Sequence, residues 1–242
     1  MSEFKMPTEI VELPSKGLLY DKTSELSKGT IEIKHMSARE EDILTNRRFI
    51  EDGTVLDRLL KSLIVTPVNF DDLLIGDKNA IMIAARILGY GKDYSFEYGG
   101  ESHTVDLSLI DSKPIKEEIF TPGKNEFEFT LPYSKNTVTF KLLTQKDEQD
   151  IDKELAGLRK IKKDDVLELS TRLKYLLTSV EGKRNKADVR NFVDNYLLAK
   201  DSRALREYIK EIQPDVDLTF FPGNTENRIN IPIGLSFFWP DI

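Results

Sequence analysis

Two stretches of this chain follow one plan, and that repetition constrains its fold more than any other feature. Residues 30–35 (TIEIKH) alternate Ile31 and Ile33 with polar neighbours, then run into Ser37 and Glu40. Residues 137–143 (TVTFKLL) alternate Val138, Phe140 and Leu142, then run into Thr144 and Asp147. Alternation of this kind marks a half-buried strand. Ser37 and Thr144 are placed to cap the helix that follows each strand, with an acid at the third helical position. Glu40 suits the reciprocal capping box; Asp147 is a shorter substitute.

The likeness continues. Residues 58–65 (RLLKSLIV) resemble 172–180 (RLKYLLTSV) with one residue of slippage. Around them Val55, Leu56, Leu59, Leu60, Leu63 and Ile64 recur at helical spacing, as do Val166, Leu169, Leu173, Leu176, Leu177 and Val180. Each stripe is expected to face a core. Residues 73–81 (LLIGDKNAI) then align without a gap to 197–205 (LLAKDSRAL). Their separation exceeds that between Ser37 and Thr144, so the second half carries an insertion before this point. Asp77 and Asp201 read as N-caps of helices ending near Gly89 and Ile212. A hairpin closes each half: 94–98 and 103–109 around a turn at 99–102 (GGES), and 216–221 and 228–233 around a turn at 222–224 (PGN). Glycine and asparagine supply the positive φ of such turns. Pro232 belongs at an edge or an unpaired position, because it donates nothing to a ladder.

The expected fold is therefore α+β, two tandem related units of strand, helices and β-hairpin behind an extended N-terminal arm. The boundaries are arm 1–28, first unit 29–111, linker 112–125 and second unit 126–242. Pro114, Pro122 and Gly123 give the joint its linker character.

Apolar residues at 39% suffice for a core, and charged residues at 32% exceed the usual ~25%, so a folded chain with a charge-rich surface is expected. A net charge of −7 disfavours a phosphate backbone as partner unless basic residues share a face. The one basic cluster, 159–163 (RKIKK), runs straight into Asp164 and Asp165 and reads as a solvated loop entering a helix. The chain has no cysteine, which excludes disulfides and thiolate metal sites and fits a reducing compartment. Its first residues lack the apolar stretch of a secretory signal, and no window approaches the ~18–20 apolar residues of a membrane span. A soluble protein made in the cytoplasm is expected.

The pairs Glu40/Glu41, Asp71/Asp72, Asp147/Glu148 and Asp164/Asp165 invite an acid–base or metal reading. Each falls in or just before the first turn of an expected helix, where negative charge is stabilised by ~0.3–1 kcal/mol. His35 and His103 have no partner at metal-ligand spacing. Residues 181–183 (EGK) lack the upstream glycine and strand of a phosphate loop and read as a helix exit. No catalytic residue, metal ligand or cofactor is assigned. Two terminal segments stand out as candidate partner contacts: Leu13, Lys16, Gly17, Leu18, Leu19 and Tyr20, in an apolar patch broken by Pro and Gly, and the aromatic group Phe237, Phe238 and Trp239. Packing on their own domain is the competing reading for both.

Residues 13–20 (LPSKGLLY), 73–91 (LLIGDKNAIMIAARILGYG), 105–108 (VDLS) and 237–241 (FFWPD) together resemble the T-even-type phage baseplate family that includes a hub component and a hub assembly factor. The resemblance runs over nearly the whole chain. It implies no covalent catalysis, but a role in baseplate hub assembly through other hub proteins, with self-association an option. The expected location is the host cytoplasm during assembly, or the virion. Some members of that family carry cysteines in the first hairpin, in the manner of a small zinc ribbon. Here 98–103 (YGGESH) holds none, so zinc is not carried over. A carboxylate-dependent nuclease and a generic adaptor are the alternatives.

Overall fold

The computed structural model describes residues 5–161, 167–222 and 228–238. The architecture is mixed α+β, with eight α-helices and small antiparallel sheets among the described residues.

Strand β1 (Thr8–Glu12) pairs antiparallel with β2 (Thr30–Lys34), placing Val11 opposite Ile31. β2 buries Ile31 and Ile33 and leads into α1 (Ala38–Leu44), α2 (Arg47–Glu51) and α3 (Val55–Leu63). The α3 stripe Val55, Leu59, Leu60 and Leu63 is buried, as its spacing requires, and Ile64 bridges back to Ile33. α4 (Ile75–Tyr90) follows, then β3 (Asp93–Tyr98) and β4 (Glu101–Asp106). Gly99 and Gly100, at φ 63° and 82°, form their two-residue turn.

After the connecting segment, β5 (Phe127–Thr130) pairs with β6 (Thr137–Phe140). α5 (Gln145–Ile161) and α6 (Glu168–Leu176) come next, and β7 (Leu177–Val180) returns to pair with β6. α7 (Lys186–Asn195), α8 (Ala199–Ile212) and the short strands β8 (Thr219–Phe220) and β9 (Ile229–Asn230) complete the order. α7 lies between β7 and α8, whereas the connection from α3 to α4 holds only a 3-10 turn at Phe70–Asp72. One hydrophobic core runs through both halves.

Several sequence expectations need correction. Described residues before Lys28 form no free arm: β1 is a hairpin strand, and Leu13, Leu19 and Tyr20 are buried. The segment 112–125 is not a free linker either. Ser112 bridges to Val216, the Gly123 amide donates to the Leu18 carbonyl, and Phe120 is buried against Phe127. α4 continues through Gly89 to Tyr90, with Gly91 capping it at φ 84°. Leu74 and Leu198, not the aspartates, occupy the N-cap positions of α4 and α8. Residues 181–183 turn at the end of strand β7 rather than leaving a helix, with Val180 bridged to Lys183. Arg159 and Lys160 end α5, where cations favour the helix terminus. Lys162, Lys163, Asp164, Asp165, Val166 and the turn at 223–224 lie outside the described residues. Leu169 faces solvent instead of the core. Pro232 sits outside the ladder as expected, its carbonyl accepting from the Tyr94 hydroxyl.

Candidate functional site

Most acids flagged in the sequence are placed by local helix chemistry. In α1, Glu40 closes a capping box on Ser37 and also binds the Lys34 ammonium (2.9 Å) and the Ser62 hydroxyl (2.7 Å). Asp147 does the same in α5: it accepts from the Thr144 amide (3.0 Å) and pairs with Lys141 (2.7 Å). The shorter acid still reaches, and a lysine at the strand end completes both clusters. Burial pushes the Glu40 carboxyl up, but its donors Ser37, Lys34 and Ser62 outweigh that and hold it at about 2. A folded value below the ordinary 4.5 stabilises the fold above that pH and is lost as pH falls toward 2. Glu40→Gln is therefore expected to unfold earlier in urea at pH 7, with the gap to wild type narrowing at pH 3.

The two conspicuous aspartates act differently. Asp77 is the third residue of α4 and wholly buried. It accepts from the Ser15 amide (2.9 Å), the Ser15 hydroxyl (2.6 Å) and the Tyr20 hydroxyl (2.6 Å). Tyr20 in turn accepts from the Leu74 amide, a donor that the helix itself leaves unsatisfied. Burial raises the Asp77 carboxyl, partly offset by these donors; burial and the charge of Asp77 raise the Tyr20 phenol well above its ordinary value. Asp201, third in α8, accepts from the Tyr133 amide (2.8 Å) and the Ser134 amide (3.0 Å). There burial also pushes upward, but the donors win and the carboxyl is lowered. Each aspartate thus fastens a Leu-Pro turn, at Leu13 and at Leu131, onto the start of a helix.

These contacts locate the candidate partner residues. Leu13, Leu19 and Tyr20 belong to the core around Asp77, and Leu18 packs against it. Gly17 lies under the Ser27 carbonyl at φ 75°. Lys16 is exposed and pairs with Glu117. Phe237 and Phe238 are fully buried, Phe237 against Tyr94, and the Phe237 carbonyl accepts from Arg86. Trp239 lies outside the described residues. In this fold, then, the buried members hold the chain together and present no surface.

A cleft of about 700 Å³ lies between α3, α4 and α5. Its floor is a polar network: Lys78 binds Asp57 (2.8 Å) and Gln145 (2.7 Å), while the Gln145 and Gln149 amides reach the other Asp57 oxygen at 2.8 and 3.2 Å. Glu148 is paired with Arg172. The Asp152 carboxyl is raised by burial and by the Glu148 charge, with Arg172 opposing. No group of three or more acids, histidines or cysteines able to hold a metal occurs among the described residues. The Lys78–Asp57 pair, with both Asp57 oxygens occupied, cross-links α3, α4 and α5.

Surface character changes at the start of α8. Tyr133 (56% exposed), Tyr196 (62%) and Leu198 (51%) gather there, with the Lys200 ammonium 5.1 Å from the Tyr133 ring. The sequence reading missed this group, because its members are scattered singly along the chain. The alignment of 197–205 with 73–81 was the available signal: Leu73 and Leu74 are buried, whereas Leu197 is half-buried and Leu198 exposed. No helix is long and apolar enough to cross a membrane among the described residues. Comparison with protein-family models, with curated proteins and with solved structures finds no match to this chain.

Proposed function

We propose that this protein is a non-enzymatic assembly protein of a phage tail, built of two related units and acting on proteins of the baseplate hub. It works in the host cytoplasm during assembly, as a transient factor or as a hub component. Three recurrences support the related units. Each half opens with a hairpin whose Leu-Pro turn is fastened to a helix aspartate. Each carries a capping acid clamped by a strand-end lysine, and each closes with a hairpin followed by a 3-10 turn, at Leu107–Leu109 and at Leu235–Phe238.

The observation that carries the assembly reading is the aromatic and aliphatic surface at the start of α8. Exposed apolar clusters mark contact sites, and tyrosine anchors interfaces well. Of the candidate acids, Glu40, Asp71, Asp147 and Glu148 are engaged in caps or ion pairs. The sequence resemblance supplies the biological setting.

Interrupting the coding sequence in its source genome tests the proposal. Electron microscopy of the lysate is expected to show tail parts without finished baseplates, restored by the gene in trans. Normal tails would contradict it. Mass spectrometry of purified particles beside the lysate separates the two roles: presence in the lysate alone marks a transient factor.

A further inference from the structure

The two halves meet through a short backbone pairing. Leu74 bridges Thr144: the Ile75 amide donates to the Leu143 carbonyl (3.3 Å), and the Gln145 amide donates to the Leu73 carbonyl (2.8 Å). The start of α4 thereby serves as one edge, and the junction from β6 into α5 as the other. By the alignments above, the counterpart of the α4 edge is Leu197, Leu198 and Ala199. The counterpart of the β6–α5 junction is Met36, Ser37 and Ala38. Each counterpart lacks the partner that its equivalent has. Leu74 is 4% exposed and Leu198 is 51% exposed. Among the described residues, the amides of Ala38 and Ala199 and the carbonyls of Met36 and Leu197 make no backbone hydrogen bond.

We propose that a second copy of this chain docks head to tail, its Met36–Ser37–Ala38 junction pairing with the Leu197–Leu198–Ala199 edge of the first. This rests on the reading of the halves as related units. The unfilled surfaces are the two ends of a pairing the molecule already makes once, so the chain itself supplies the complementary shape. Charge contributes through Lys200: α8 opens with the exposed cations Lys200 and Arg203, the latter paired with Glu207 (2.8 Å), whereas α1 presents the exposed acids Glu41 and Asp42, without an ion-pair partner among the described residues, beside the exposed Arg39. Lys200 replaces Gly76, whose added Cβ would lie 1.9 Å from the Pro214 carbonyl. The intermolecular contact is therefore opened on that side and rests on the backbone pairing and Leu198. An interface joining unlike surfaces leaves one of each free, so it closes into a ring or extends as a filament.

The test is light scattering against concentration, with variants chosen to keep the fold. Leu198→Glu alters an exposed N-cap position. Ala38→Pro enters the first helical position, where proline is tolerated, and removes the amide that would donate to Leu197. The preceding Ser37 is already extended, at φ −117° and ψ 174°, as a residue before proline must be. Wild type is expected to gain mass with concentration. Leu198→Glu stays monomeric, and Ala38→Pro needs about tenfold more protein, the loss of one hydrogen bond. Below the concentration at which Ala38→Pro associates by itself, mixing the two variants is expected to give a one-to-one dimer and nothing larger, since each contributes the surface impaired in the other. A wild type that stays monomeric at its solubility limit, or variants that fail to complement, overturns the proposal. The underlying equivalence has its own readout, thermal unfolding of Gln145→Pro beside Gln145→Ala. Equal melting of those two would remove the template, whereas earlier melting of the proline variant with a monomeric wild type would sink the docking alone.

Discussion

Asp77→Ala is expected to cost about 3–5 kcal/mol of folding stability, read as a lower urea midpoint. The substitution strands the Ser15 amide, the Ser15 hydroxyl and the Tyr20 hydroxyl inside the core, far from water. Each buried donor left without an acceptor costs roughly 1–3 kcal/mol, more than the net worth of the bond it made. The turn that buries Leu13, Leu19 and Tyr20 is then held by packing alone. Asp77→Asn should be milder, because its carbonyl still accepts. It should also change the pH response. Burial raises the Asp77 carboxyl, so the folded state holds its proton to higher pH than the unfolded chain does. That contribution is complete below the ordinary aspartate range and lost as pH rises through the raised value. The asparagine variant is expected to lack this decline; an unchanged midpoint in Asp77→Ala would show that the fastening carries no weight.

Gly76→Ala is the second large effect, and its sign is diagnostic. Alanine is favoured over glycine inside a helix by about 1 kcal/mol, so a free helix would gain. Here the added Cβ would lie 1.9 Å from the Pro214 carbonyl oxygen and 2.8 Å from the Asp215 Cα. Both obstacles are backbone and cannot swing aside. The start of α4 would have to retreat from the segment after α8, pulling on the Asn79–Asp215 hydrogen bond (3.0 Å). A net loss of about 2–3 kcal/mol is expected, seen as a lower melting temperature. A stabilised Gly76→Ala protein would mean that the halves do not approach this closely.

Much of the fold was legible wherever local chemistry decides it. Ile31 and Ile33 alternate because β2 has one buried face, and the α3 stripe is buried because its spacing matches the helix period. Glu40 announces its cap by lying three residues after Ser37. What stayed hidden depends on distant partners. β1 gave no signal because four of its five residues are exposed, so it carries no alternation to read. Asp77 looked like an N-cap because aspartate often is one, but its donors come from Ser15 and Tyr20, far away in the chain. Phe237 and Phe238 looked available because they lie near the end of the sequence. Tyr94 and Arg86, which cover them, are a whole unit earlier. The prolines at 114 and 122 made a strap resemble a tether, since proline marks the absence of a helix and not the absence of packing.

On the proposed reading, the acids of the α3–α4–α5 cleft hold helices together and do not coordinate an ion. Titration of the intact protein with manganese, followed by electron paramagnetic resonance, tests it most directly at the cleft holding Asp57, Glu148 and Asp152. The account predicts only weak, non-saturating association. A saturable site that disappears in Asp57→Asn or Asp152→Asn would contradict it.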